Sequence, residues 1–393
     1  MKVTRQRWLL WAGCAFAANL LASWALWTKW ARGRATSAGP TGGFWKPPCP
    51  LQSLWNQEQH RLDQLPSSSS SSSSSSASWD PAGGSCRPDL EVPGRFVDFA
   101  RLPRQMQDFL VYRRCRAYPL LLEPAALCQG GPPVVLLLAV KSQASSFARR
   151  QAVRQTWGGL GRASGTRLVF LLGRQEGSAA GDGHPDLSWL LGSESRRHSD
   201  LLQWDFRDTF LNLTLKEVLF LPWLAAHCPG ARYVFKGDDD VFVNTRALLG
   251  FLGALGPSAA RRSDLFLGDA ILDATPARDP ALKYYVPGAF YRGHYPPYAG
   301  GAGVVFSGGL APRLARAAQR VPLFPIDDVF TGMCLRRLGL APRCHPGFRS
   351  FGINETERWE PCAYRRLVMV HRRSPQEIVR LWRLLQRPNV TCA

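Results

Sequence analysis

The sequence has no CxxC pair, no GxGxxG segment and no Walker-type GxxxxGK[ST] loop. The first absence argues against a zinc ribbon or finger, and the other two against the glycine-built phosphate cradles of dinucleotide-binding and P-loop proteins. No Ser-His-Asp arrangement can be inferred from spacing. Negative charge is also scarce, with 29 acidic residues against 49 Lys and Arg and a formal charge of +20. Such a balance suits an anionic partner: a nucleic acid, a nucleotide-sugar or an acidic membrane surface. There is no long basic tract, and many arginines stand singly, as at Arg246, Arg261, Arg313 and Arg336. Charge alone therefore does not choose among these partners.

What is present begins at the amino terminus. Residues 8–28 form an uncharged run of 21 residues preceded by Lys2, Arg5 and Arg7. As a helix rising about 1.5 Å per residue, the run spans roughly 30 Å, the thickness of a bilayer's hydrocarbon core. Trp8, Trp11, Trp24, Trp27 and Trp30 cluster towards its ends, where indole favours the membrane interface. Lys29, Arg32 and Arg34 follow it, so the positive-inside rule does not fix its orientation. A cleaved signal peptide or a buried helix are the alternatives, but the run exceeds the usual signal core of about 7–15 residues. The expected organisation is a cytoplasmic tail at 1–7, a membrane anchor at 8–28, a stem at 29–95 and one folded body at 96–393.

The stem is rich in Pro, Gly and Ser, and its ten-serine run at 67–76 cannot bury apolar area. Phe44-Trp45 and residues 55–62 interrupt this polar tract; they either dock on the body or form local structure. Ten cysteines, of which Cys14 lies in the anchor, and three N-x-S/T sequons at Asn212, Asn354 and Asn389 agree with a secretory lumen.

Within the body, apolar runs at 133–140 (PVVLLLAV) and 168–172 (LVFLL) read as buried strands. Helices are expected at 147–157 and 214–226, and a strand at 233–235 leads into Asp238-Asp239-Asp240. Strands alternating with helices imply an α/β body with a mainly parallel sheet, whose ligands bind beyond the carboxyl ends of the strands.

The acidic triplet lies at such an end. Extended backbone alternates its side chains, so Asp238 and Asp240 can share one site while Asp239 faces away. Two converging carboxylates repel unless protonated or bridged by a cation, and a departing nucleotide diphosphate needs such a cation. A solvated acidic turn or a structural calcium loop would use the same residues. Asp327-Asp328, before the apolar run of 329–338, offers either a general base for a sugar hydroxyl or an N-cap. Gly300-Gly301-Ala302-Gly303 follows Tyr295-Pro296-Pro297-Tyr298. It reads either as a ligand loop with tyrosines for a pyranose face or as a tight turn into 304–306. His371 after 367–370 is either structural or a metal ligand.

Together these segments resemble the β1,3-N-acetylglucosaminyltransferases of the β1,3-glycosyltransferase family over residues 96–392. The resemblance rests on LLAVKS (137–142), RRQAVRQTWG (149–158), NLTLKE (212–217), FKGDDDVFVNT (235–245), YPPYAGGAG (295–303), FPIDDVFTGMCL (324–335) and Val370-His371, in that order. WNQEQHRL (55–62) and ESRRHSDLLQWDF (194–206) look most like the branch of the family that extends polylactosamine on branched N-glycans.

The resemblance implies a type II Golgi membrane protein with a glycosyltransferase-A fold: a Rossmann-like nucleotide-binding half and a mixed central sheet in a single catalytic domain. It implies inverting transfer of GlcNAc from UDP-GlcNAc to the 3-hydroxyl of galactose-terminated glycans, with Mn²⁺ or Mg²⁺. By position, Asp328 would be the general base, and Asp240 with His371 would hold the metal. Lys141, Arg150, Arg154, Asp238 and Asp239 would lie at the donor, with Tyr298, Gly300, Gly301 and Gly303 forming the sugar loop. Cys115, Cys128, Cys228, Cys334, Cys362 and Cys392 match family positions expected in disulfides, whereas Cys49, Cys86 and Cys344 look additional.

The sequence departs at Ala302, where relatives commonly have Gly; a methyl there could narrow acceptor access or do nothing. Three alternatives stand beside the main reading. One is a β1,3-galactosyltransferase, and a second is a weakly active chain that activates a related glycosyltransferase as a heterodimer, beside the option of a homodimer. The third, nucleic-acid binding, rests only on charge, and the anchor and sequons argue against it.

Overall fold

The computed structural model describes residues 53–64, 86–175, 185–256 and 264–387. The expected anchor at 8–28, the serine run, Asn389, Cys14, Cys49 and Cys392 lie outside the described residues. Among the described residues no helix is long and apolar enough to cross a membrane.

The described helices are α1 (Leu54–Gln64), α2 (Arg104–Tyr112), α3 (Phe147–Gln155), α4 (Ser188–His198) and α5 (Leu213–His227). They continue with α6 (Thr245–Ala254), α7 (Ala311–Ala318), α8 (Asp327–Arg337), α9 (Pro361–Arg366) and α10 (Pro375–Leu385). Four parallel strands form the Rossmann-like half: β2 (Leu136–Lys141), β3 (Thr166–Arg174), β4 (Leu201–Arg207) and β5 (Tyr233–Asp238). Every residue of β2 is buried, as its unbroken apolar run requires of a strand covered on both faces. Helices α3, α4 and α5 make the crossovers between successive strands.

The sheet is mixed beyond that half. At one edge β1 (Leu120–Leu122) runs antiparallel to β4. On the other side β10 (Gly303–Ser307) lies antiparallel between β5 and β7 (Phe266–Gly268), and β11 (Arg343–Cys344) pairs in parallel with β7. The order is β1-β4-β3-β2-β5-β10-β7-β11. Side chains alternate to two cores: Leu137 and Ala139 pack with the apolar α5 and with α7 and α8, while Leu136, Leu138 and Val140 pack towards α3 and α6. The small pair β8 (Ala270–Ile271) and β9 (Tyr298–Ala299) stands beside α8.

A second sheet joins β12 (Phe348–Arg349), β13 (Met369–Val370) and β6 (Phe242–Val243). Its register places Val370 opposite Phe242, so the residues after Val370 are brought back to those before Phe242. His371 therefore meets Asp240 although 131 positions separate them (371 − 240).

Some open readings are decided and several expectations are corrected. Residues 55–62 dock on the body: Trp55 is 1% exposed, and its indole N–H donates to the Pro322 carbonyl at 3.1 Å. Its ring meets Tyr291 and Phe324 edge-on at 5.2 and 6.2 Å. Asn56 exchanges side-chain and main-chain bonds with Arg292 at 3.0 and 3.1 Å. Val92 is fully buried as well, so the folded body reaches upstream of the expected boundary at 96. Helix α8 begins at Asp327, with Ile326 as its N-cap residue and no side-chain cap. The N-cap reading of Asp327-Asp328 therefore fails. Both carboxylates sit in the first turn, where the helix dipole favours negative charge.

Cys128 pairs with Cys228, and Cys362 is also disulfide-bonded. Cys86, expected to be additional, is the partner of Cys115. Cys334 does not join a disulfide; it is a buried free thiol on α8, and burial pushes its pKa up to about 12. Its side chain packs in the apolar core. Cys344 is free and exposed. Asn354 is exposed, whereas Asn212 is half-buried with its amide donating to the Arg207 carbonyl at 2.9 Å.

Candidate active site

The carboxyl ends of β2 and β5 open into a cleft of about 680 Å³. Parallel pairing sets Lys141, the last residue of β2, opposite Asp238, the last of β5. The Lys141 ammonium is buried between two carboxylates, 3.1 Å from Asp238 and 2.7 Å from Asp327 in the first turn of α8. Burial alone would lower its pKa, but the two carboxylates outweigh that and hold it well above the usual lysine range. It ties the strand-end acids to the helix-end acids.

The triplet divides as the alternation of side chains requires. Asp239 turns inward, accepting from the Ser142 hydroxyl at 2.7 Å and from Arg149 at 3.3 Å. Burial raises its pKa. Asp238, Asp240 and His371 each offer one ligand atom, and these atoms all lie within 4.8 Å of one another. The His371 Nδ1 lies 2.8 Å from the Ser350 carbonyl, which can only accept, so Nδ1 carries the proton and Nε2 is aimed at Asp240, 3.3 Å away. Two carboxylates and an imidazole oriented through its second nitrogen form a donor set that fits Mn²⁺ or Mg²⁺. Without an ion, burial works against ionisation of both side chains, and their pairing wins. His371 is held above its usual range, and Asp240, which also has Arg149 beside it, below its own.

On the facing wall Asp328 is half-buried, and its Oδ2 accepts the Gly301 N–H at 2.8 Å. Burial, and next the negative charge of Asp327, push its pKa well above the carboxylate range. Asp327 itself is held low: burial opposes its ionisation, and the Lys141 ammonium more than compensates. Environment has thus separated two adjacent carboxylates, one fixed as an anion and one poised to take up a proton.

Tyr298, Gly300 and Gly301 line the cleft with these acids. Gly303 does not; it sits in β10 opposite Gly237, where an added Cβ would lie 3.0 Å from the Phe235 ring. The Ala302 methyl is in the apolar core beneath the loop, and its carbonyl accepts the Asp238 N–H at 3.1 Å. Ala302 also lines the cleft beside Gly301.

Two donor-site expectations are not met by position. Arg150 is fully buried under α3, bonded to Glu194, to the Gln143 carbonyl at 2.5 Å and to the Ala144 carbonyl at 3.1 Å. Arg154 forks onto Asp200 at 2.7 and 2.8 Å and reaches Glu194. A guanidinium so engaged has no free edge for a nucleotide; Arg150 holds the Gln143 and Ala144 carbonyls in place, and Arg154 ties α3 to Glu194 and Asp200. The helix turn that buries Arg150 exposes Arg149, which reaches Asp239 and Asp240 instead.

Sequence reasoning missed Arg149, Ser142 and a wall formed by Phe210, Lys283 and Tyr284. The Lys283 ammonium rides 4.1 Å over the Phe210 ring. Ser142 and Arg149 lie in the segments 137–142 and 149–158, but no local motif marks Phe210, Lys283 or Tyr284; only the fold joins them. A second groove, of about 780 Å³ between α3 and α10, is lined by no carboxylate, histidine or cysteine and offers no chemistry of this kind.

The family model described as Galactosyltransferase matches residues 148–346. The chain is 48% identical over 362 residues to N-acetyllactosaminide beta-1,3-N-acetylglucosaminyltransferase 2 of Mus musculus, covering 90% of this chain and 89% of that relative. Identity to the Homo sapiens protein of the same name is 46% over 361 residues, with 90% and 89% covered. UDP-GlcNAc:betaGal beta-1,3-N-acetylglucosaminyltransferase 8 of Homo sapiens is 44% identical over 346 residues, with 86% and 82% covered. With an acid-lined cleft at the strand ends and likeness that runs along nearly the whole length of these relatives, the chain belongs to the galactosyltransferase family of glycosyltransferases.

Proposed function

We propose that this chain is an inverting β1,3-N-acetylglucosaminyltransferase that moves GlcNAc from UDP-GlcNAc to the 3-hydroxyl of a terminal galactose, extending N-acetyllactosamine chains on glycoproteins. The observation that carries the reading is the pairing, across one cleft, of a proton-accepting Asp328 with the Asp238, Asp240 and His371 donor set. The donor and acceptor follow the printed names of the relatives.

Asp238, Asp240 and His371 would hold Mn²⁺ or Mg²⁺, which when bound supplies positive charge to the departing diphosphate. Asp328 takes the proton from the acceptor hydroxyl as that oxygen attacks the anomeric carbon from the face opposite the leaving group. Asp327 stays ionised on Lys141, and its charge raises the proton affinity of Asp328. Gly301 N–H orients the carboxylate. Tyr284 and Tyr298, both near enough to feel the Asp328 charge, offer ring faces to the acceptor sugar.

The disulfides Cys86–Cys115 and Cys128–Cys228 belong to an oxidising lumen. They support a Golgi setting in which residues 8–28 anchor the chain as a type II membrane protein and the serine-rich tract is the stem.

The test is transfer to a lactosamine-terminated acceptor with UDP-GlcNAc or UDP-galactose, with and without a chelator. Chelator-sensitive transfer from UDP-GlcNAc is expected. Transfer from UDP-galactose alone would reassign the donor, and silence with both would favour a chain that works by activating a partner.

A further inference from the structure

Residues 371–373 cross the acidic triplet, and both outer members are pinned. His371 is held between the Ser350 carbonyl and Asp240. The Arg373 N–H donates to the Asp240 carbonyl at 2.8 Å, and the buried Arg373 guanidinium donates to the Tyr364 hydroxyl at 2.9 Å. Arg372 between them has φ +61°, a left-handed conformation unusual for a residue with a Cβ. A bond from the Arg373 guanidinium to the Arg372 carbonyl, 2.9 Å, fixes that conformation.

The strain has a geometric result. In extended backbone adjacent side chains point to opposite faces, so His371 and Arg372 could not both line one cleft. The left-handed residue turns the second side chain back, and both line the cleft with Asp238 and Asp240. Arg372 is exposed there and has no carboxylate partner among the described residues, although it acts on the Tyr284 hydroxyl through space. Strain that neighbouring contacts over-determine is found where a side chain must be presented to a ligand.

We propose that Arg372 is the phosphate clamp of the donor site: its guanidinium binds the β-phosphate of the nucleoside diphosphate-sugar and stabilises it as leaving group. This rests on the function proposed above. In the step it serves, the acceptor oxygen forms its bond to the anomeric carbon while the bond from that carbon to the β-phosphate oxygen breaks. The electron pair stays on that phosphate oxygen, opposite Arg372, and the acceptor proton goes to Asp328. A planar, always charged guanidinium suits a phosphate edge by paired N–H donors.

The experiment compares Arg372→Ala, Arg372→Lys and Arg372→Gly in the full-length chain, titrated calorimetrically with UDP and with UMP, with and without Mn²⁺. Losing a charge-assisted contact should weaken UDP about tenfold or more in the Ala and Gly variants. UMP, which lacks the β-phosphate, should bind as it does to the unmodified chain, and Lys should restore part of the UDP affinity. Gly removes charge and strain together, so it should melt at or above the temperature of the unmodified chain while still losing UDP. Equal loss of UDP and UMP, or an unchanged ratio between them, overturns the clamp. Absence of UDP binding by the unmodified chain overturns the proposed function with it, whereas normal transfer by Arg372→Ala overturns the clamp alone.

Discussion

The Gly301 N–H and the Asp328 Oδ2 are 2.8 Å apart, and the bond between them joins the glycine loop to the first turn of α8. Glycine is needed there for close approach: a Cβ built on Gly301 would lie 2.7 Å from Asp328 Cγ and overlap its carboxylate. Gly301→Ala should therefore displace the base and lower kcat by roughly 100-fold, the cost of about an ångström of misplacement. UDP binding should be unchanged. Steady-state kinetics beside a UDP titration check this, and an unaltered kcat would contradict it.

The raised proton affinity of Asp328 gives a pH dependence of known sign. A base works only when ionised, so kcat/KM should rise with pH through a value above the usual carboxylate range of about 4. Because the folded state favours the protonated acid, the stability it contributes is full at low pH and is lost as pH rises through the folded pKa. Asp328→Asn cannot ionise, so at neutral pH it should be inactive and at least as stable as the unmodified chain. A pH–rate profile and urea unfolding at two pH values measure both effects.

Part of this site could be read from the sequence because its cues are local. A buried apolar strand ending in three aspartates places Asp238 and Asp240 on one face by backbone alternation alone. The parallel half of the sheet shows in the runs at 133–140 and 168–172 for the same reason. What could not be read depends on long-range pairing. His371 reaches Asp240 only through the register of β13 on β6; a lone histidine after an apolar run carries no sign of that, and it is the family resemblance that pairs the two. Arg150 and Arg149 are adjacent in a basic helix, and nothing in its periodicity tells which one is buried on Glu194. The two aspartates before the apolar run of 329–338 read equally as caps because the helix starts earlier than that run, at Asp327 itself. Residues 55–62 sit in a polar tract, and their partners, Tyr291, Pro322 and Phe324, lie more than 200 positions away.

That docked segment is expected to contribute to stability. Trp55→Ala would open a cavity beside Phe324, three residues before Asp327, and should cost about 3–5 kcal/mol. Chemical denaturation of the variant measures it; a loss below about 1 kcal/mol would mean the segment merely rests on the body.

The cysteine assignments are open to direct mapping. Non-reducing peptide maps should show Cys86 linked to Cys115 and Cys128 linked to Cys228, with Cys334 alkylated only after unfolding. Replacing Cys128 and Cys228 by serine should cost about 2–5 kcal/mol, since the bridge spans 100 positions. A linked peptide containing Cys334 would contradict the map.

The central claim is that Asp328 removes a proton for GlcNAc transfer opposite a cation held by Asp238, Asp240 and His371. The most direct measurement is GlcNAc transfer from UDP-GlcNAc to a lactosamine acceptor at saturating Mn²⁺, comparing the unmodified chain with Asp328→Asn and with a chelator-treated sample. The account predicts transfer by the unmodified chain, loss of at least about 100-fold in Asp328→Asn with UDP binding kept, and loss on chelation that Mn²⁺ restores. Undiminished transfer by a folded Asp328→Asn would contradict it.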